Sequence, residues 1–237
     1  MSITKRQQQI IGLLQEHSYL SVKKLSELTF TSPSSIRRDL TELQNKNLIK
    51  RTHGGASVKN EVNGAPTLTN RMERNTVEKR KIAKLASEHI CDGQVIMLDG
   101  SSTASFLLPY IAKHKDITLF TNNMITAINA INLGISTHCI GGKSVNNTAV
   151  LSGEESYDAV SKIHSDILFF SSHSIDSNGV ITDPTKEENY LRSLMLKNTN
   201  KSVFLCDSHK FYRRSVYTLT SLKDIDVAIF DTPFKSK

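Results

Sequence analysis

The sequence predicts a mostly parallel α/β body with a small, basic helical module at its N-terminal end. Three observations predict it. A length of 237 residues suits one large or two modest domains. Positive charge is concentrated at the front: residues 1–58 hold nine Lys or Arg against four Asp or Glu, and the remainder holds 21 against 19, within a net charge of +7. From about residue 71, short apolar runs alternate with helical patterns, which signals a parallel sheet covered on both faces.

The first helix is expected over Thr4 to Glu16, where Ile10, Leu13 and Leu14 recur at i, i+3 and i+4. Ser21 is a good N-cap for a second, short helix from Val22 to Leu28. Thr29-Phe30-Thr31 makes a tight turn. Ser32 then caps a third helix with Pro33 in its first position, where a missing N–H costs nothing; Ile36, Leu40 and Leu43 face inward. Two helices across a three-residue turn form a helix-turn-helix, which inserts the start of its second helix into the major groove of DNA.

That start reads Ser32-Pro33-Ser34-Ser35-Ile36-Arg37-Arg38-Asp39. Arg37 and Arg38 point about 100° apart, so one faces base edges and the other a phosphate, in either assignment. Asp39 is expected to fix one of these guanidinium groups. Leu48 to Val58 alternates apolar and polar residues and turns on Gly54-Gly55, a two-stranded wing. Lys50 and Arg51 are offered to phosphates or the minor groove, and His53 is either a third such contact or a neutral turn residue.

Residues 59–70 are polar and without periodicity, an expected linker between a module at 1–58 and a body at 71–237. In the body, a helix is expected from Val77 to His89. Strands are expected at Val95–Leu98, Ile117–Phe120, Thr137–Ile140, Ile167–Phe170, Val203–Cys206 and Val227–Phe230, with helices near 103–112, 125–133 and 187–198. Ligands of such sheets bind at the carboxyl ends of the strands. Those ends carry Asp99-Gly100-Ser101-Ser102-Thr103, Thr121-Asn122, Gly141-Gly142 with Gly153 beyond, Ser171-Ser172-His173, and Asp207-Ser208-His209-Lys210. Hydroxyls and free N–H groups suit a phosphate, Asp99 a sugar hydroxyl, and Lys210 a phosphate as a point charge.

On these residues the chain resembles the DeoR-type bacterial transcription regulators. The family's Thr-Ile-Arg-Arg-Asp-Leu appears as Ser35-Ile36-Arg37-Arg38-Asp39-Leu40, and the wing as Leu48-Ile49-Lys50-Arg51 with His53-Gly54-Gly55-Ala56. The resemblance continues in Asp99 to Thr103, Thr121-Asn122, Gly141-Gly142 and Asp207 to Phe211, nearly the whole chain. Ser101 stands where the family has a Gly, and His209 where it has a small hydroxyl residue. The resemblance implies a ribose-5-phosphate isomerase-like sensor domain for a phosphorylated sugar or related metabolite, with Glu188 joining the site and Arg192 in the basic position that follows. The DNA-contacting set is then Ser32, Ser34, Ser35, Arg37, Arg38, Lys50, Arg51 and His53. The effector set is Asp99, Ser101, Ser102, Thr103, Thr121, Asn122, Gly141, Gly142, Gly153, His173, Glu188 and Lys210.

The function so implied is a DNA-binding regulator, a repressor of a carbohydrate-metabolism operon relieved by its effector. Its partners are double-stranded operator DNA and a second copy of itself, as dimer or tetramer. The alternative is a sugar-phosphate isomerase with a DNA-binding appendage. Isomerisation needs a positioned base, and Ser171 to Asp176 offers one acid and one His. Other classes are disfavoured. No apolar run approaches the ~20 residues of a membrane helix, and the N-terminal residues lack a secretion core, so the expected address is cytoplasmic. Three scattered cysteines argue against a disulfide framework, and no His, Cys and acid set has metal-ligand spacing, so no cofactor is expected. With no Trp and 6% aromatics, a stacking platform for single strands is disfavoured.

Overall fold

The computed structural model describes residues 3–17, 19–46, 48–52, 54–58, 61–62, 65–66 and 68–236. The chain divides into two compact units, Met1–Thr67 and Leu68–Lys237.

The first unit contains α1 (Lys5–His17), β1 (Tyr19–Ser21), α2 (Val22–Leu28), α3 (Pro33–Asn45), β2 (Ile49–Thr52) and β3 (Gly55–Val58). α1 opens on a reciprocal cap: the Gln7 amide N–H donates to Thr4 Oγ1 at 3.2 Å, and the Thr4 N–H donates to Gln7 Oε1 at 3.3 Å. Ser21 and Ser32 cap α2 and α3, accepting from the Lys24 and Ser35 amides. The strands form an antiparallel sheet in the order β1-β3-β2. Gly55 is required there because a Cβ would lie 2.4 Å from the Leu20 carbonyl oxygen. Ile10, Leu14, Leu25, Ile36, Leu40, Leu43 and Ile49 close the core.

The expected linker carries structure. β4 (Glu61–Val62) and β5 (Ala65–Pro66) pair antiparallel, and α4 (Leu68–Glu73) begins inside the span. The second unit therefore starts at Leu68. The physical reason lies in α5 (Thr76–Ala86): its buried Lys79 donates to the Arg71 and Arg74 carbonyls and ties α4 to the body.

The body is built on β6 (Val95–Leu98), β7 (Thr118–Thr121), β8 (Ser136–Cys139), β11 (Ile167–Phe170), β14 (Ser202–Cys206) and β16 (Val227–Phe230). They form one fully parallel sheet in the order β16-β14-β11-β6-β7-β8. The chain winds outward from β6 in one direction, then returns to start again at β11. The strand order reverses between these two, and their carboxyl ends form the crevice where ligands of open α/β sheets bind.

Alternate residues of each strand feed opposite faces. Ile167 and Phe169 join the core under α5, α6 (Ser102–Ser105), α7 (Leu108–Ile111) and α8 (Met124–Asn132). Leu168 and Phe170 join the core under α9 (Glu154–Ser161) and α10 (Lys186–Lys197). Both faces being covered explains why β6 and β11, at the centre of the sheet, read as unbroken apolar runs.

The single helix expected near 103–112 is two short ones, α6 and α7. Several elements escaped the sequence reading: α9, the ribbon β9 (Lys143–Ser144) with β10 (Leu151–Ser152), and the antiparallel sheet of β12 (Ser174–Ile175), β13 (Val180–Asp183) and β15 (Tyr217–Ser221). These strands are short and rich in Ser and Thr, and β13 pairs with a strand more than thirty residues away.

Phe30 in the helix-turn-helix turn has φ of +50° and is 97% exposed. A bulky residue in the left-handed region costs about 1–2 kcal/mol and here gains no packing in return. Phe30→Gly is expected to stabilise the first unit by about 0.5–1 kcal/mol after allowing for the freer unfolded glycine, read as slower hydrogen exchange of the Leu25 and Leu40 amides.

Candidate functional site

In the first unit, the buried stripe Ile36, Leu40 and Leu43 turns the opposite face of α3 outward, and Arg37 and Arg38 are both exposed on it. The Ser32 hydroxyl lies 3.0 Å from those of Ser34 and of Ser35, a polar cluster at the start of the helix. Arg51 reaches back from β2 and donates to Thr41 Oγ1 at 3.0 Å, which holds the wing against α3. Lys50 is exposed beside it. His53 lies outside the described residues.

The expectation for Asp39 is overturned. Its carboxylate is 3% exposed and accepts two bonds from Arg6 of α1, at 2.5 and 3.0 Å, rather than fixing Arg37 or Arg38. Helical geometry is the reason: Asp39 lies about 60° from Ile36 on the buried side of α3, where Arg6 of α1 meets it. The Gln7 amide donates to Glu42 Oε2 at 2.6 Å one turn further on. α1 is thus clamped to α3 at two points, and Arg37 and Arg38 are not drawn into that clamp.

In the second unit, the strand ends converge on a buried guanidinium. Arg192 of α10 donates from Nε to Asp99 Oδ2 at 2.9 Å and from Nη1 to Asp183 Oδ2 at 2.5 Å; all three residues are buried. Asp99, at the end of β6, also accepts the Ser101 amide at 3.1 Å and the Ser171 amide at 3.2 Å. Asp183, at the end of β13, accepts the His173 amide at 3.0 Å. Burial alone would lower the Arg192 guanidinium, but Asp183 and Asp99 beside it raise it above its ordinary value. Burial raises the Asp183 carboxyl, against the pull of Arg192 and the His173 N–H.

A narrow cleft opens beside this triad, walled by Asp99, Gly100, Asn122, Val150, Glu188 and Arg192, with Leu191 and Met195. Asn122 donates to the Leu151 carbonyl at 2.7 Å, but its Oδ1 is buried without a partner among the described residues. Ser101 caps α6, accepting the Ala104 amide at 3.1 Å. Glu188 accepts from the Thr185 hydroxyl at 2.7 Å.

Cations gather at the same strand ends. Lys210 Nζ stands 2.9 Å from Ser171 Oγ, 3.4 Å from Thr103 Oγ1 and 3.5 Å from Asp207 Oδ2. Lys79 is 3% exposed, and burial, then the charges of Lys210 and Arg71, push its ammonium down to about 8, with Asp207 opposing. Arg71 Nε is buried without a hydrogen-bond partner among the described residues. His173 is exposed as a residue, yet partial desolvation of its ring, then Lys210, holds the imidazole below its usual value.

Of the expected effector residues, Asp99, Ser101, Ser102, Thr103, Thr121 and Asn122 are all buried at adjacent strand ends, with His173, Glu188 and Lys210 around them. The glycines serve the backbone. Gly142 has φ of +137°, and a Cβ there would lie 2.9 Å from the Ser152 carbonyl oxygen. Gly141 accepts from the Ser156 hydroxyl, and Gly153 precedes α9; none of the three walls the cleft. Asp183, Arg71 and Lys79 were missed. Lys79 left a signal, since it occupies a core position of α5 three residues before Ile82. Asp183 left none, because its strand was not recognised. No group of three His, Cys, Asp or Glu placed to hold a metal occurs among the described residues, and none of their helices is long and apolar enough to cross a membrane.

Comparison with known proteins bears on both units. Residues 6–62 match the DeoR-like helix-turn-helix domain, and residues 74–232 match the DeoR C terminal sensor domain. The chain is 34% identical over 228 residues to the HTH-type transcriptional regulator GolR of Listeria innocua, covering 96% of this chain and 90% of that one. It is 28% identical over 235 residues to the glycerol-3-phosphate regulon repressor of Escherichia coli, covering 98% and 92%. Among solved structures, eIF2B delta of Chaetomium thermophilum aligns at a TM-score of 0.51 and 19% identity over 86% of this chain and 65% of that one, a likeness of fold. Ribose 5-phosphate isomerase A of Methanocaldococcus jannaschii aligns at 0.43 and 18% over 58% of this chain, about half (55%) of that enzyme's length.

Removing the guanidinium would leave two buried carboxylates unpaired. Arg192→Ala is expected to lose about 3–5 kcal/mol of stability at neutral pH in chemical denaturation. The deficit should shrink as pH falls, because the orphaned carboxylates then take up protons.

Proposed function

The chain belongs to the DeoR family of helix-turn-helix transcriptional regulators, and on that premise we propose that it represses a carbohydrate-metabolism operon and is released by a phosphorylated sugar bound at the strand ends of its second unit. The observation that carries the effector reading is a pair of complementary vacant bonds. A buried guanidinium donor, Arg71 Nε, lies among the cations Lys79 and Lys210, and a buried amide acceptor, Asn122 Oδ1, belongs to a residue that walls the cleft. An anion answers the first and a hydroxyl the second. A phosphorylated sugar carries both.

DNA is read by the first unit. Arg37 and Arg38 supply base and phosphate contacts from α3, Lys50 and Arg51 follow the backbone from the wing, and the exposed Phe30 adds an apolar contact at the turn. Copies of the chain pair on half-sites in the cytoplasm. Turnover of the sugar is not part of the reading, and Asp99 and Asp183, both committed to Arg192, are not offered as its base. The relatives' names, regulator and regulon repressor, support the same view.

The test separates the two units. With an operator fragment selected from random duplexes, Arg37→Ala or Arg38→Ala should weaken binding about tenfold or more, each removing a contact worth about 1–3 kcal/mol. The thermal shift given by a panel of sugar phosphates should stay intact. Lys210→Ala should do the reverse. Loss of both responses in either variant, or conversion of any panel member, would contradict the reading. Binding to the duplex should also weaken as salt rises.

Lys79 sets a pH window. It carries its charge below about pH 8 and loses it above. The thermal shift from a phosphorylated sugar should therefore be larger at pH 7 than at pH 9, and Lys79→Met should flatten that difference.

A further inference from the structure

Two residues beyond Lys210 the backbone is strained. Tyr212 has φ of +57°, in the left-handed region, which a bulky side chain occupies at a cost and which suits Gly, Asn or Asp. Phe30 has the same conformation with its side chain in solvent, but the Tyr212 ring is engaged. It stacks on Phe234, with centroids 5.6 Å apart and planes inclined by 22°, and its hydroxyl donates to the Lys235 carbonyl at 3.3 Å. Strain of this kind persists only where the surroundings over-determine it, and it gathers at functional sites.

Those surroundings are the residues that follow β16. Lys210 closes a short 3-10 turn, Ser208–Lys210, and residues 231–235 hold that turn on both sides. Ahead of Lys210, Asp231 accepts the Ser208 amide at 2.7 Å and the Ser208 hydroxyl at 2.9 Å, one on each carboxylate oxygen. After Lys210, Phe234 meets the Phe211 ring edge-on at 5.1 Å and the Tyr212 ring face-on. The Arg213 amide then donates to the Ile175 carbonyl at 3.1 Å, which fixes the far side of Tyr212. A glycine at 212 would turn the chain without strain but would set no ring on Phe234, so the strain is offset by a contact that glycine cannot make.

Between these two anchors, the Lys210 ammonium is delivered to Ser171 Oγ and Thr103 Oγ1 with 22% of its side chain exposed, although a lysine stem is flexible. We propose that residues 231–235 form a strap that positions Lys210, and that Tyr212 is the positioning residue through which the strap acts. The inference rests on the reading of Lys210 as a contact for the anionic group of the effector.

The test compares Tyr212→Asn, which suits the left-handed backbone but carries no ring, with Tyr212→Phe, which keeps the ring. Reductive methylation of the full chain with formaldehyde and cyanoborohydride, without ligand, reads Lys210 against Lys162, whose side chain is 70% exposed at the end of α9. Relative to Lys162, Lys210 should react about threefold faster or more in Tyr212→Asn and at the native rate in Tyr212→Phe. Both variants should melt within about 3 °C of the native chain. Phe234→Leu, which stays apolar but has no ring, should behave as Tyr212→Asn does. The rise in melting temperature given by inorganic phosphate should fall to about half or less in the two ringless variants. A native rate at Lys210 in Tyr212→Asn would overturn the proposal, as would a faster rate with an undiminished phosphate response. A faster rate that comes with a larger loss of melting temperature, or that Tyr212→Phe shares, would mark a structural role alone and overturn it too. A native chain that gives no phosphate response would instead overturn the anion reading of the site, and the methylation rates would still decide the strap.

Discussion

The buried guanidinium of Arg192, held between Asp99 and Asp183, is the interaction on which the organisation of the second unit turns. Three ionised groups removed from water carry a desolvation penalty of several kcal/mol each, and only close, well-directed pairing offsets it. The pairing constrains geometry at three places. It ties α10 to the end of β6, ties both to the end of β13, and through Asp99 orients the Ser101 and Ser171 amides on either side of the reversal in strand order. These strand ends are therefore set by the fold itself. Asp99 acts as a positioning residue for that crevice, since both of its oxygens are already engaged.

The first unit uses the same device for a different end. Arg6 neutralises the buried Asp39, and Gln7 reaches Glu42, so α1 holds α3 by its inner face. The inner acid is thus satisfied from within the fold. Arg37 and Arg38 remain uncommitted to it and exposed. In both units a buried ion pair arranges the scaffold.

Much of this was legible in the residues. The caps Ser21 and Ser32, the proline at the start of α3, the wing glycines and the six apolar strand runs are local signals, and the elements formed within a residue or two of the expected bounds. The strand-end motifs were legible for the same reason, since each follows directly on an apolar run. What escaped depended on distant pairing. β12, β13 and β15 have few apolar residues and are stabilised by each other across the chain, so Asp183 at the end of β13 could not be placed. Asp39 was misassigned because sequence proximity favoured Arg37 and Arg38, while the fold offered Arg6 from 33 positions away.

By itself, then, the sequence determined the two-part architecture, the basic recognition helix and the polar strand ends, because periodicity, capping and charge act over a few residues. Only the tertiary structure decided which carboxylate meets which guanidinium, and that Lys79 and Arg71 join Lys210 beside the crevice. Those outcomes depend on desolvation and on distances between residues far apart in the chain, and neither quantity exists until the chain has folded.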